Sequence, residues 1–291
     1  MPPRRETLGQ RIIRRLRRLL PPSAFALVQA RCRGRSGIEV GGPSAVFRRW
    51  NLWPLYPVIG RLDQYNFARR TIWSGPGPTD PSVRGVLRPE PPGRRIIGEA
   101  SEMAGIPSSS YDFLLASHVL EHIANPLKAL HAWAGVVKPG GIIVLVVPHR
   151  DGTFDHKRPL STLDHILADF AADMAEDDTT HLQEILDLHD LSLDPGAGSR
   201  DAFVTRAKDN LEHRALHHHT FNTELVLKVV DQAGFRIEYV DVELPLHICV
   251  ACSPHVPSRG ALHDAVRLAN QAYWSPLAAW RRRRLFPSDL R

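Results

Sequence analysis

Three observations predict an α/β domain with a mostly parallel sheet flanked by helices. Short apolar strands alternate with helix-patterned stretches from residue 36 onward, one strand is apolar throughout, and glycine-containing turns close the units. The 291 residues, 43% of them apolar, suffice for such a domain and its core.

Residues 1–35 read as a basic helical segment ahead of that domain. Arg4, Arg5, Arg11, Arg14, Arg15, Arg17 and Arg18 stand against Glu6, and Ile12, Ile13, Leu16, Leu19 and Leu20 share one helical face. Such a helix suits an anionic membrane surface or a polyanion, and equally a docked position with its apolar side on the domain. Charges run through the place where a secretory signal needs its apolar core, so a signal is not expected. No run approaches the roughly 18 apolar residues of a spanning helix.

The sheet domain is expected over 36–254. Residues 37–40 make a first strand ending in the turn IEVGGPS, and Ser44–Trp50 opens a helix. Tyr56–Asp63 (YPVIGRLD) reads as the second strand, with Pro57 near its start, and the Pro/Gly-rich stretch 74–93 as loop. Arg95–Gly98 and Tyr111–Ala116 follow as strands three and four. In ANPLKALHAWAGVVKPGG, Asn125 is placed as an N-cap with Pro126 at the first helical position. Ile142–Val147 is the strand apolar throughout. Residues 150–220 form a helical insertion or lid, in which 161–199 carry ten acids and no Lys or Arg, a poor surface for a phosphate backbone. The alternation then resumes with a helix over Thr223–Ala233 and strands over Phe235–Val240 and His247–Cys252. Residues 255–291 form a helical tail, where Arg281 to Arg284 follow Trp274, Leu277 and Trp280.

The three cysteines, Cys32, Cys249 and Cys252, are odd in number and widely split, which argues against a disulfide framework and for a reducing, cytoplasmic setting. The pair in CVAC has redox spacing but falls in a strand, so packing is the first reading.

Gly41 and Gly42 lie at the end of the first strand, where missing side chains let a ligand approach the backbone. Neither G-x-G-x-x-G nor G-x-x-x-x-G-K-[ST] is completed, so a nucleoside without a pyrophosphate is the expected guest. Asp63, ending the predicted second strand, is placed to accept from ribose hydroxyls. Glu99 follows the third strand similarly, and Glu39 braces the turn or meets a cationic group.

In order, IEVGGPS (38–44), Asp63, GEA (98–100), YDFLLASHVLEHIANPLKAL (111–130) and VVKPGGIIVLVVPH (136–149) make the chain resemble the class I S-adenosylmethionine-dependent methyltransferases, in particular their type-11-like branch. The resemblance implies a Rossmann-like fold and S-adenosyl-L-methionine as cofactor. It implies Glu39, Gly41 and Gly42 around the methionine and ribose, Asp63 at the ribose, Glu99 and Ala100 near adenine, and Ser117 with His118 on the cofactor side of the cleft. His149 and His156, just past the fifth strand, are the candidate bases for a hydroxyl acceptor.

A small polar metabolite or saccharide, methylated at oxygen, is the expected acceptor, and no nucleic acid. Pro43 departs from the family's more glycine-rich turn, which leaves open a binding or assembly module that keeps the fold without turnover. HVLEH (118–122) also matches the H-x-x-E-H motif of zinc hydrolases, with His118, Glu121 and His122. In LEHRALHHH, His213 and His217 have ligand spacing. No metal site is assigned from the sequence.

Overall fold

A computed structural model describes residues 23–49, 51–72, 90–243 and 246–254. The arginine-rich stretch of the N-terminal segment and the whole 255–291 tail lie outside them. Among the described residues, no helix is long and apolar enough to cross a membrane.

The strands are β1 (Ser36–Val40), β2 (Arg61–Asn66), β3 (Arg95–Ile97), β4 (Tyr111–Ser117), β5 (Val137–Pro148), β6 (Arg236–Glu243) and β7 (His247–Ser253). They form one sheet ordered β3-β2-β1-β4-β5-β7-β6. The first five strands are parallel, with Ile38 opposite Asp63 on one side and Leu114 on the other. β7 runs antiparallel to both β5 and β6. The central strands are apolar on both faces because both are covered.

On one face Ile38, Leu114, Ile143 and Leu145 pack under helices α2 (Pro126–Val136) and α7 (Thr223–Gln232), with Trp133 fully buried at the contact. On the other, Phe113, Leu115, Val144 and Val146 meet Trp53, Tyr56 and helix α1 (Ser23–Cys32) through Phe25 and Val28. Asn125 caps α2 as its type and position predict: its Oδ1 accepts from the Lys128 amide at 3.0 Å, and Pro126 occupies the first turn, where no amide is needed. Cys249 and Cys252 are both wholly buried in β7, in the packing of opposite sheet faces. Burial pushes both thiols well above the ordinary thiol range, as expected of packing residues.

The second strand is displaced from its sequence expectation. Tyr56–Val58 forms a 3-10 turn with Pro57 near its start, and the strand begins only at Arg61. Asp63 therefore lies inside β2, and Asn66 ends it. The Asp63 carboxylate is 1% exposed and accepts from the Arg94 amide (2.9 Å), Tyr111 Oη (2.9 Å), Arg94 Nη2 (3.0 Å) and Arg61 Nη2 (3.0 Å). It ties β2 to the lead-in of β3 and to the start of β4.

The segment between β5 and α7 carries α3 (Leu163–Ala171), α4 (Leu182–Leu188), α5 (Arg200–Lys208) and the one-turn α6 (Asn210–His213). It has its own small core of Ile185, Phe203, Ala207 and Leu216. Its two ends meet: the Arg150 amide donates to Phe221 O at 2.7 Å, and His149 bridges to Phe221.

Burial works upward on the Asp63 carboxyl, but the Arg94 amide, Tyr111, Arg94 and Arg61 outweigh it and hold its pKa below the usual range. A depressed carboxylate contributes stability above its unfolded pKa of about 3.9, and that contribution is lost as pH falls through the lower folded value. Asp63→Asn is expected to destabilise the fold by about 1.5 kcal/mol or more at pH 7 through its hydrogen bonds to Tyr111 and the Arg94 amide. The deficit relative to wild type should shrink below about pH 4. Urea melts of both proteins from pH 7 to pH 3 check this; a constant deficit across that range would refute it.

Candidate active site

The carboxyl ends of β1 to β4 open into one cleft, at the point where strand order reverses between β1 and β4. The space between its walls, open solvent included, is about 560 Å³.

The floor is the turn after β1. Gly41 sits at φ +73°, donates its amide to Tyr65 O at 2.9 Å, and has Val119 so near that an added Cβ would stand 2.4 Å from Cγ2. A Cβ on Gly42 would meet Glu39 Cδ at 2.4 Å. Both glycines are thus demanded by packing. Glu39 is wholly buried beneath the turn and does not line the cleft; it accepts from Tyr56 Oη at 2.6 Å and the Ser44 amide at 2.9 Å. Burial pushes its carboxyl up to about 7 against those two hydrogen bonds. Of the two roles open to Glu39 in the sequence, this geometry is that of a brace.

Tyr65, Asn66 and Phe67 bring the end of β2 to the cleft. The Asn66 amide nitrogen donates to Gly42 O at 3.0 Å, joining the first two strand ends. Asp63 is absent from the lining, because β2 runs three residues further than expected and its side chain is consumed by Arg61, Arg94 and Tyr111.

Glu99 and Ala100 line the cleft as expected. One Glu99 oxygen accepts from the Ala100 amide at 2.9 Å, and the other pairs with Arg214 Nη2 at 2.9 Å. Arg214 comes from the insertion. Its Nη1 pairs with Glu176 at 2.8 Å and its guanidinium lies 5.7 Å from the Phe67 ring centroid. Arg214 is in the left-handed region at φ +51°, immediately after the one-turn α6. Sequence reasoning missed Asn66, Glu176 and Arg214, since nothing local marks them.

At the exit of β4, His118 lines the cleft at φ +55°, with Nε2 3.0 Å from His247 Nδ1. Burial pushes its pKa down to about 3, with His247 and His217 adding to the effect. Ser117 is buried behind it and does not reach the lining; its hydroxyl has no hydrogen-bond partner among the described residues. Leu120–His122 is a 3-10 turn with no helix continuing from His118. The helical face shared by His118 and His122, which the zinc-hydrolase motif requires, is therefore not formed.

Neither candidate base lies in the cleft. His149 is fully buried and caps the 3-10 turn Arg150–Gly152, its Nδ1 accepting from the Asp151 amide at 3.3 Å. His156 is bound to Asp190 at 2.9 Å, within the insertion. His213 and His217 do not form a pair: His213 ends α6 near Asp209 at 3.8 Å, while His217 turns inward to Asp155 at 2.5 Å.

A family model of the methyltransferase domain matches residues 14–240. The chain belongs to the methyltransferase-domain family. With the sheet order above, this makes it a class I S-adenosylmethionine-dependent methyltransferase, and the S-adenosyl-L-methionine expected from its motifs is the cofactor. No curated protein matches the chain. Solved structures similar to it include a SAM-dependent methyltransferase from Aquifex aeolicus (11% identity, 84% of this chain and 96% of that one, TM-score 0.43). Others are a methyltransferase from Mesorhizobium loti (13%, 80% and 99%, 0.43) and one from Methanosarcina mazei (14%, 78% and 95%, 0.44).

The floor of the cleft generates a prediction. Gly41→Ala adds both the left-handed backbone penalty, about 1–2 kcal/mol, and the collision with Val119. Calorimetry should show weaker S-adenosylhomocysteine binding together with a lower melting temperature. Adding Val119→Ala should recover part of the loss, because it relieves the collision and leaves the backbone penalty. No recovery would mean that packing against Val119 does not set the turn.

Proposed function

We propose that this methyltransferase acts on a small polar metabolite or saccharide, at oxygen, in the cleft above β1 to β4. The observation that supports this best is the cleft's composition: a mainly apolar floor at the strand ends faces a polar wall, with Glu176 and Arg214 contributed by the insertion. An acceptor entering from that wall meets hydrogen-bonding groups first.

When bound, S-adenosylmethionine supplies a methyl carbon made electrophilic by its sulfonium. The protein's task is then to hold donor and acceptor in line and to exclude water. In this reading Gly41 gives the donor close backbone contact, and Asn66, at the true end of β2, takes the ribose-side position that Asp63 held in the sequence expectation. Ala100 and Phe67 offer apolar surface to the adenine, and Glu99 its edge contact, with Arg214 fixing the carboxylate. His118 is held as a neutral imidazole beside His247, able to orient an acceptor hydroxyl. His149 and His156 are assigned to positioning the insertion.

Two substitutions at β2 separate this assignment from the sequence expectation. Asn66→Ala should weaken S-adenosylhomocysteine binding by about 0.5–1.5 kcal/mol, a few-fold to about tenfold in Kd. Asp63→Asn should leave the Kd of the folded fraction unchanged; the reverse pattern would return the ribose to Asp63. Transfer itself is tested with a methyl-labelled donor against a library of metabolites and oligosaccharides. Label confined to nucleic acid or protein would overturn the acceptor class, and donor binding without label in any acceptor would favour the non-catalytic module.

A further inference from the structure

Behind the wall formed by His118 and His122, three side chains converge that the cofactor reading does not use. Glu121 is 1% exposed, and neither of its carboxylate oxygens has a hydrogen-bond partner among the described residues. His122 Nε2 and His118 Nδ1 each stand 3.8 Å from Glu121 Oε1. His217 packs edge-on against His122, ring centroids 4.6 Å apart. One ligand-type atom from each of Glu121, His122 and His217 lies within 4.8 Å of the others.

Both imidazoles are anchored through their far nitrogens. His122 Nδ1 is 2.9 Å from Leu216 O, and His217 Nδ1 is 2.5 Å from Asp155 Oδ2. A backbone carbonyl or carboxylate at Nδ1 fixes the tautomer that offers Nε2 as a ligand, the arrangement that orients histidines around metals. A buried carboxylate with no hydrogen-bond donor is costly unless it takes up a proton or a cation sits beside it. We propose that Glu121, His122 and His217 hold a divalent transition-metal ion of the zinc, cobalt or manganese class at the inner wall of the cleft.

Two imidazoles and one carboxylate are a common set for such ions and leave coordination positions open. Donor atoms about 2.1 Å from one ion stand roughly 3.4 Å apart, so the three side chains close by about an ångström on loading. Because His122 also lines the cleft, an open position faces the acceptor. This role rests on the methyl-transfer reading above. An acceptor hydroxyl on the ion gives up its proton to solvent more readily; its oxygen then bonds to the methyl carbon as the carbon–sulfur bond breaks, and the sulfonium leaves as a neutral thioether. HVLEH is thereby used, with His217 in place of His118.

The test uses the untagged full chain, stripped with a chelator and titrated with Zn²⁺ by calorimetry and with Co²⁺ by visible absorption. One equivalent should bind, with a Co²⁺ spectrum of low coordination number. Glu121→Gln and His217→Ala should each weaken Zn²⁺ binding by about 100-fold, and Asp155→Asn by about 10- to 100-fold. Glu121→Gln is the safeguard against misfolding, since it removes no hydrogen bond seen among the described residues. Without metal it should melt no lower than wild type; with Zn²⁺ wild type should gain and the variant should not. Absence of Zn²⁺ and Co²⁺ binding overturns the proposal. So does binding that survives both substitutions and is lost in His181→Ala, which would place the ion among His165, His181 and His219 instead. Metal loading is read without an acceptor, so a failed methylation screen does not touch it. Loss of S-adenosylhomocysteine binding in the unsubstituted chain would strike the cofactor assignment and not the ion.

Discussion

Asp155 is buried just past β5, with Arg158 Nη1 at 3.0 Å from one oxygen and His217 Nδ1 at 2.5 Å from the other. Burial alone would raise its pKa; His217 and Arg158 reverse the sign and keep it ionised. Arg158, itself 1% exposed, also reaches His217 O at 2.9 Å and Glu184 at 2.8 Å. Charges withdrawn from water this completely persist only when each is paired and hydrogen-bonded, so the network admits few alternative arrangements. It fixes where 216–219 run, and that segment in turn receives His122 through Leu216 O and reaches Ala124 O through His219 Nε2 at 3.1 Å. The polar wall of the cleft and the exit of β4 are held in one frame by a single carboxylate.

Much of the fold was legible because local and global preferences agree. β5 is apolar on both faces, α2 carries its cap and proline in order, and Gly234 follows α7 at φ +78°. β2 failed for an identifiable reason. YPVI has strand composition, yet Pro57 and Gly60 punctuate it, and the chain spends those residues on a 3-10 turn. The true strand, RLDQYN, is polar at four of its six positions, so only Arg61–Asp63 fell within the expected strand, and its buried Asp63 is accommodated by Arg61, Arg94 and Tyr111. A three-residue slip moved the predicted ribose acid out of the site.

The site was legible where the backbone itself is the functional element. Gly41 was placed by the strand end and its turn chemistry, which are local, and Ala100 and His118 by the family resemblance; all three line the cleft. Arg214 and Glu176 are more than 75 residues along the chain from Glu99, and no periodicity links them to it. Histidines misled most. Fifteen are spread through the sequence, and proximity to β5 singled out His149, whereas the fold uses that residue to cap a turn. Which histidines meet is decided by how the insertion folds back, information that is tertiary.

The insertion leaves the sheet at His149 and returns at Phe221, and these two points touch. Of some seventy residues between them, Ile166 joins the main core, Arg214 pairs with Glu99 and His219 reaches Ala124 O, whereas Ile185, Phe203, Ala207 and Leu216 form a small core of their own. A closed stem of this kind lets the part of the segment that carries its own core change without altering strand register. The sheet and that small core can therefore drift at different rates in evolution, while Arg214, Glu176 and His219 stay tied to the partners they reach.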